Sequence, residues 1–247
     1  MARQPRIKPE HYGEIYDVFS AAISTRHDCG QFCAPLNDGV PHCCRTDGAI
    51  PLADKEEFQF LQTRSDLWHK FKPFDAESRK VVKDLHSSCV AIECKGVEHC
   101  ERENRTIACR AFPFFPYITK EKKFVGLSYY WEFEDECWVI SNMKIVQQSF
   151  LDEFSRGFEK LFLYDFESFD LFRDHSAAMR RVFTRWKRSF PVLGRDGKFF
   201  MVRPGDPTLR PVEQGKLRKF GPFRSETAYA KAVKEKKGVL PKRSVML

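Results

Sequence analysis

The sequence predicts an α+β protein: an irregular, loop-rich cysteine domain organised by a metal, built from short helices and β-hairpins, with a helical pair towards its C-terminal end. Three observations carry this expectation. Eight of the nine cysteines fall between Cys29 and Cys109, in bursts beside basic residues, and the ninth is Cys137. Around them, short helix-period and strand-prone runs mix with loops. Beyond Cys137 the pattern changes to aromatic residues repeating at helical spacing. The expected organisation is a cysteine domain over 1–140, a helical segment packed on it over 141–190, and a β-hairpin with a basic arm over 191–247.

Taken in order, Tyr12, Ile15, Val18, Phe19 and Ala22 lie at helical spacing within 9–23 and predict a helix that leads into the first cysteines. Asp54 followed by Glu57 three positions on is a capping-box pattern, with Phe58, Leu61 and Trp68 facing inward. A short helix is expected over 76–87, and two strands over 115–131 joined around Lys120, Glu121, Lys122 and Lys123. Phe150, Phe154, Phe158 and Phe162 recur every four residues, and Phe169, Phe172, Met179, Phe183 and Trp186 continue on a second helix, giving a helical hairpin with a buried aromatic face. Asp196-Gly197 between two β-prone runs over 190–202 predicts a tight hairpin. After Arg203 the chain is rich in Pro, Gly, Lys and Arg, with one short amphipathic helix over 226–237, and is expected to be poorly ordered on its own.

The 247 residues are 42% hydrophobic and include 24 Phe, enough for a sizeable core. Net charge is +8, but its distribution says more. From Ala178 onward there are 19 Lys and Arg against 5 Asp and Glu, leaving 23 against 29 for the first 177 residues. The opening Met1-Ala-Arg-Gln-Pro-Arg-Ile-Lys-Pro-Glu has no apolar core or small-residue cleavage site, so the expected location is the reducing cytoplasm. No run reaches the roughly 18 apolar residues of a membrane span. A cysteine-rich chain in that compartment points to metal ligation in preference to disulfides.

The candidate ligands are Cys29, Cys33, Cys43, Cys44, Cys89, Cys94, Cys100, Cys109 and Cys137. Thiolate is the ligand form, and nearby cations favour it; Arg45, Arg102, Arg105 and Arg110 stand beside the cysteines. Four thiolates around Zn2+ leave a net charge near −2, which such arginines offset while donating hydrogen bonds to sulfur. In the vicinal pair Cys43-Cys44, successive side chains of an extended segment point apart. That suggests two adjacent metal positions, or a polynuclear cluster fed from both sides. Eight ligands suit two tetrahedral zinc sites or two four-iron clusters. His27, His42 and His99, each within two residues of a cysteine, are secondary ligand candidates.

The order of these motifs over 29–137 resembles that of the CxxCxxCC, or YkgJ-type, cysteine-cluster family, whose members are described as zinc- or iron-chelating. The matching features are Cys43-Cys44 followed by Ile50-Pro51-Leu52 with Glu56 or Glu57, Cys89-Val-Ala-Ile92, and Cys100 through Arg105 to Cys109-Arg110-Ala-Phe112-Pro113, with Cys137 last. The first spacings are longer than the family's, and Thr106 stands where the family has Pro. The resemblance implies metal chelation, places Cys89 ahead of Cys94 as a ligand, and, because flagellin lysine-N-methylases share the cysteine signature, admits a methyltransferase-like enzyme. An iron-sulfur oxidoreductase is a further alternative.

No dinucleotide, P-loop or His-Glu-x-x-His motif is present, and no catalytic constellation stands out. The acidic run Glu132, Glu134, Asp135, Glu136 is read as a solvated strand end before it is read as a carboxylate ligand set. The basic arm, with Trp186, Phe199, Phe200, Phe220, Phe223 and Tyr229 interleaved, offers charge and stacking groups for nucleic acid or, by charge alone, for an acidic protein.

Overall fold

Helix α1 (Pro9–Val18) opens the described part of a computed structural model, residues 7–247. Residues 1–6, which carry most of the opening read for a leader, lie outside the described residues. Pro9 sits in the first turn, where its missing N–H is not needed. The periodicity predicts helix as far as Ile23, but α1 ends at Val18. Arg110 donates to the carbonyl oxygens of Tyr16 (3.4 Å) and Phe19, and the Glu153 carboxylate accepts from the N–H groups of Ser20 (2.8 Å) and Ala21 (2.6 Å). Distant side chains thus satisfy the groups that a further helical turn would have paired.

Helix α2 (Gly30–Cys33) is followed by 3₁₀ turns at Ala34–Leu36 and His42–Cys44. Strand β1 (Leu52–Asp54), α3 (Lys55–Arg64), β2 (Trp68–Lys70), α4 (Ala76–Lys83) and β3 (Cys89–Cys94) then build a small antiparallel sheet of order β1-β3-β2, with Leu52 opposite Ala91 and Trp68 opposite Cys94. Phe58, Leu61 and Trp68 are buried as the sequence predicts. The predicted capping box at Asp54 does not form, because both carboxylates are taken by partners far away in sequence. Asp54 accepts from the Tyr12 hydroxyl, and Glu57 accepts from the Tyr16 hydroxyl (2.8 Å) and the Ile107 N–H (2.7 Å).

Helix α5 (Ile107–Ala111) precedes the predicted hairpin of β4 (Phe114–Ile118) and β5 (Phe124–Tyr129). After α6 (Trp138–Ser141), helices α7 (Gln148–Tyr164) and α8 (Phe166–Arg185) form the expected hairpin, and Asp165 caps α8 by accepting from the N–H groups of Glu167 and Ser168. The Phe150, Phe154 and Phe158 rings are buried in sequence along one face of α7, with centroids 5.8 and 4.6 Å apart.

Strands β6 (Phe190–Gly194) and β7 (Phe199–Arg203) form the predicted second hairpin, with Gly197 at φ +75° in its turn, a conformation most residues adopt only at a cost. The sequence reading missed β8 (Asp206–Pro211), because two prolines and alternating charges disguise a strand that survives only at a sheet edge. The five strands form one antiparallel sheet of order β4-β5-β6-β7-β8, so strands from the middle of the chain and strands from beyond the helical hairpin share it.

The segment after β8, expected to be loosely ordered, is packed. It contains α9 (Glu226–Glu235), and Phe220, Phe223, Tyr229, Val233 and Val245 are buried. The Tyr229 hydroxyl donates to the Phe32 carbonyl (2.8 Å), and the Trp138 indole N–H donates to the Val245 carbonyl (2.7 Å). A Cβ on Gly238 would stand 2.0 Å from the Pro35 carbonyl oxygen, so only glycine permits that approach. Apolar burial, invisible in a charge count, ties the basic end to the cysteine-rich turns.

Candidate metal centre

All nine cysteines are free thiols. The structure places eight of them in two adjoining neighbourhoods, joined through Cys44, and leaves one apart. In the first, Cys29 caps α2 and Cys33 is its last residue, Cys43 follows on the His42–Cys44 turn, and Cys137 caps α6. The Phe32 ring stacks on Trp138 (centroids 4.3 Å apart, planes 25°), which brings α2 against α6, and His42 meets Phe133 edge-on (5.7 Å) just before Cys137. Electrostatic repulsion runs through the set and reaches Cys44 as well: Cys137 feels Cys29 and Cys33, Cys43 feels Cys44 before Cys137 and Cys33, and Cys29 and Cys33 each feel Cys44.

In the second neighbourhood, Cys94 ends β3, Cys100 follows a 3₁₀ turn, Cys109 lies on α5 and Cys44 faces them from the vicinal pair. The Thr46 hydroxyl donates to Glu93 (3.1 Å), fastening the loop after Cys44 to β3, and the Trp68 indole N–H donates to the Asn104 carbonyl (2.7 Å), fastening the loop between Cys100 and Cys109 to the same sheet. Cys109 feels Cys44 and Cys94, and Cys94 feels Cys44 and Cys100. Thr106, where the resembled family has Pro, caps α5 by accepting from the Cys109 N–H (2.9 Å).

Cys89 stands elsewhere. Its thiol faces Asp54 (3.9 Å) and Ser88 (3.8 Å) at the far end of β3. Five residues along a strand separate it from Cys94, roughly 16 Å at the usual rise. The resemblance puts Cys89 ahead of Cys94, whereas the structure sets Cys94 among the other sulfurs.

Burial pushes most of these thiols up, Cys29 and Cys109 to about 12, and Cys33 and Cys137 in the same direction. Cys44 is the exception, drawn down to about 7, first because the Cys43 thiol donates a hydrogen bond to it and then because Arg105 lies near. Donors also point at other sulfurs. Arg105 donates to Cys100 (3.1 Å), and backbone N–H groups serve Cys33 (from His42), Cys94 (from Gly96) and Cys137 (from Ile140 and Val139). Among the described residues, no group of three or more His, Cys, Asp or Glu already stands in a metal-holding arrangement, so these are neighbourhoods of thiols and not assembled coordination shells.

Of the arginines read as charge-balancing neighbours, Arg105 reaches sulfur. Arg45 is held by Asp38 (2.7 Å) and Asp47 (2.6 Å), and Arg110 spends its donors on backbone carbonyls while lying over the Tyr16 ring (4.0 Å). His27 pairs with the Ser24 hydroxyl (3.3 Å), His42 with Asn37 (3.4 Å), and His99 is exposed. The acidic run begins within a 3₁₀ turn, Trp131–Phe133, and is solvated only in part: Glu132 and Asp135 are exposed. Glu134 is buried, accepts from Tyr129 (2.8 Å) and binds Arg188 (2.7 Å), clamping the turn before Cys137.

The stacking surface expected of the basic arm is also corrected, since Phe199, Phe220, Phe223 and Tyr229 are core residues and Trp186 is the member left well exposed (47%). Lys198, Arg203, Arg210 and Lys216 line an open groove of about 770 Å³ along β7 and β8. Three of these cations are paired, with Asp196, Asp206 and Glu213.

No family model, curated protein or solved structure matches this chain. Among the described residues, no helix is long and apolar enough to cross a membrane.

Proposed function

We propose that this protein binds metal, holding zinc or an iron-sulfur cluster through its cysteine cluster. The observation that carries the reading is the set of donors aimed at sulfur: Arg105 at Cys100, and backbone N–H groups at Cys33, Cys94 and Cys137. A neutral thiol is a weak acceptor, whereas hydrogen bonds to an ionised acceptor are roughly twice as strong. Such donors therefore favour the thiolate that a metal requires. Burial opposes bare thiolates, and a bound cation reverses that balance by releasing the protons. The resemblance to the CxxCxxCC family supports the same reading.

Closed all-thiolate zinc would supply fold stability, and an iron-sulfur cluster would supply electron transfer. Metal analysis with a visible spectrum on protein purified without oxygen tests the proposal. The expected result is stoichiometric zinc without colour, or iron with acid-labile sulfide and a broad band near roughly 400 nm. Cys109→Ser should lower metal content and melting temperature together. Metal-free protein that melts unchanged in this variant would refute the reading.

A second reading, contact with nucleic acid, is favoured by the groove in which Lys198, Arg203, Arg210 and Lys216 gather. Binding of a labelled single strand should then weaken steeply between low and moderate salt. Binding that is absent or insensitive to salt would remove this reading.

A further inference from the structure

We infer that the cleft between α4 and β3 binds a small amphipathic anion, an acidic head on a short apolar chain, with Lys55, Lys70 and His86 around the head and Phe71, Val82 and Leu85 along the chain. This site is independent of the metal-binding reading, because the thiol that lines it is Cys89, which stands apart from the other sulfurs. The cleft has a volume of about 310 Å³, at the small end of the range for ligand sites. Its walls are held by local bonds. Asp75 and Ser78 cap α4 reciprocally, the Lys55 N–H donates to the Ser88 carbonyl (2.9 Å), and the Phe71 N–H donates to the Ala91 carbonyl (3.0 Å). Val82 and Leu85 are nevertheless only half-buried, so the fold leaves apolar surface facing an unfilled space. An apolar chain laid there would remove that surface from water.

The rim is cationic and uncompensated. Among the described residues, no carboxylate lines the cleft, and neither Lys55 nor Lys70 has an ion-pair partner. The larger groove along β7 and β8 differs in this respect, since three of its four cations are held by neighbouring carboxylates. Asp54, which faces Cys89, accepts from the Tyr12 hydroxyl. His86 adds a donor. Its Nδ1 accepts from the Ser88 N–H (3.4 Å) and lies 2.8 Å from the Ser88 hydroxyl, so in the neutral ring the proton sits on Nε2. That N–H can donate whether or not the ring is charged. Two ammonium groups and an N–H over an apolar floor favour an anion that carries a tail. An uncharged chain leaves the cations unanswered, and a bare anion leaves the floor wet. At the roughly 30 Å³ that a water molecule occupies in the liquid, the space corresponds to about ten non-hydrogen atoms.

The test uses the full chain with octanoate as the probe, and with octanol and acetate as the uncharged and tail-less comparisons. Calorimetry follows binding, and peptide mass spectrometry of iodoacetamide-treated protein reports how fast Cys89 is alkylated. A single saturable octanoate site is expected, with loss of Cys89 alkylation at saturation and an unchanged rate at Cys100. Octanol and acetate should leave both rates as they were. Lys55→Gln and Lys70→Gln should each weaken octanoate binding by roughly two- to fivefold, the effect of losing one exposed ion pair, whereas Lys234→Gln on α9 should not. All three lysines are exposed, and the melting temperature of each variant checks that the fold is kept. Four results would overturn the inference: no octanoate binding, octanoate binding that leaves Cys89 reactive, protection of Cys89 by octanol equal to that by octanoate, or undiminished binding in the Lys55→Gln, Lys70→Gln double variant.

Discussion

Replacing Glu57 by Gln should make the protein more stable at alkaline pH and leave its relative stability unchanged in acid. Glu57 is buried beneath α1 and α5, and burial raises its carboxyl from 4.5 to about 7, against the opposing hydrogen bonds from the Ile107 N–H and the Tyr16 hydroxyl. A raised acid holds its proton more tightly in the folded state than in the unfolded one. Stability is therefore greatest below pH 4.5 and falls as pH climbs to about 7, where both states are ionised. At about 1.4 kcal/mol for each pH unit across that interval, the folded state loses roughly 3 kcal/mol. Gln keeps an oxygen for the same two donors and cannot ionise. Urea unfolding of both proteins, at pH 4.5 and again at pH 8, gives the difference in stability at each pH. Asp54, itself pushed up to about 6 mainly by burial, titrates in both proteins and largely cancels. The difference should shift by about 3 kcal/mol in favour of Gln between the two pH values. A difference that stays constant with pH would refute the claim that Glu57 is buried at the expense of its ionised form.

Three further outcomes are expected. Phe158→Ala, which empties the centre of the α7 aromatic face, should lower unfolding stability by about 3–5 kcal/mol in a denaturant titration. Arg188→Ala leaves the buried Glu134 carboxylate with the Tyr129 hydroxyl but without its cation, and should destabilise by about 3 kcal/mol at neutral pH in a denaturant titration. Gly238→Ala forces the chain after α9 away from Pro35, and limited proteolysis should cut within 226–247 faster than in the unaltered protein.

Much of the local architecture is legible in the residues themselves. The aromatic spacing from Phe150 to Phe162 produces α7, and Asp196-Gly197 produces the β6–β7 turn, because both signals operate within a few residues of chain. The α+β class follows from such elements taken together. Where the expectation and the structure part, a distant group is responsible. Helix α1 stops at Val18 because Arg110 and Glu153 occupy the groups that would have extended it, and Asp54 abandons its cap for Tyr12. The C-terminal segment reads as a charged arm because charge is a property of composition, whereas the burial of Phe220, Phe223 and Tyr229 depends on surfaces supplied by other segments.

The cysteines show the same division. By itself, the sequence determined that the chain carries thiols in number, in bursts and beside arginines, and that the vicinal pair is unusual, since donor chemistry belongs to residue type. Tertiary structure alone decided that Cys94 stands with Cys44, Cys100 and Cys109 while Cys89 faces Asp54, and that Arg105 reaches sulfur while Arg45 turns to Asp38 and Asp47. The physical reason is that strand pairing and ring stacking bring together residues many tens of positions apart, and the spacing of cysteines along a chain carries no record of which side chains those contacts place face to face.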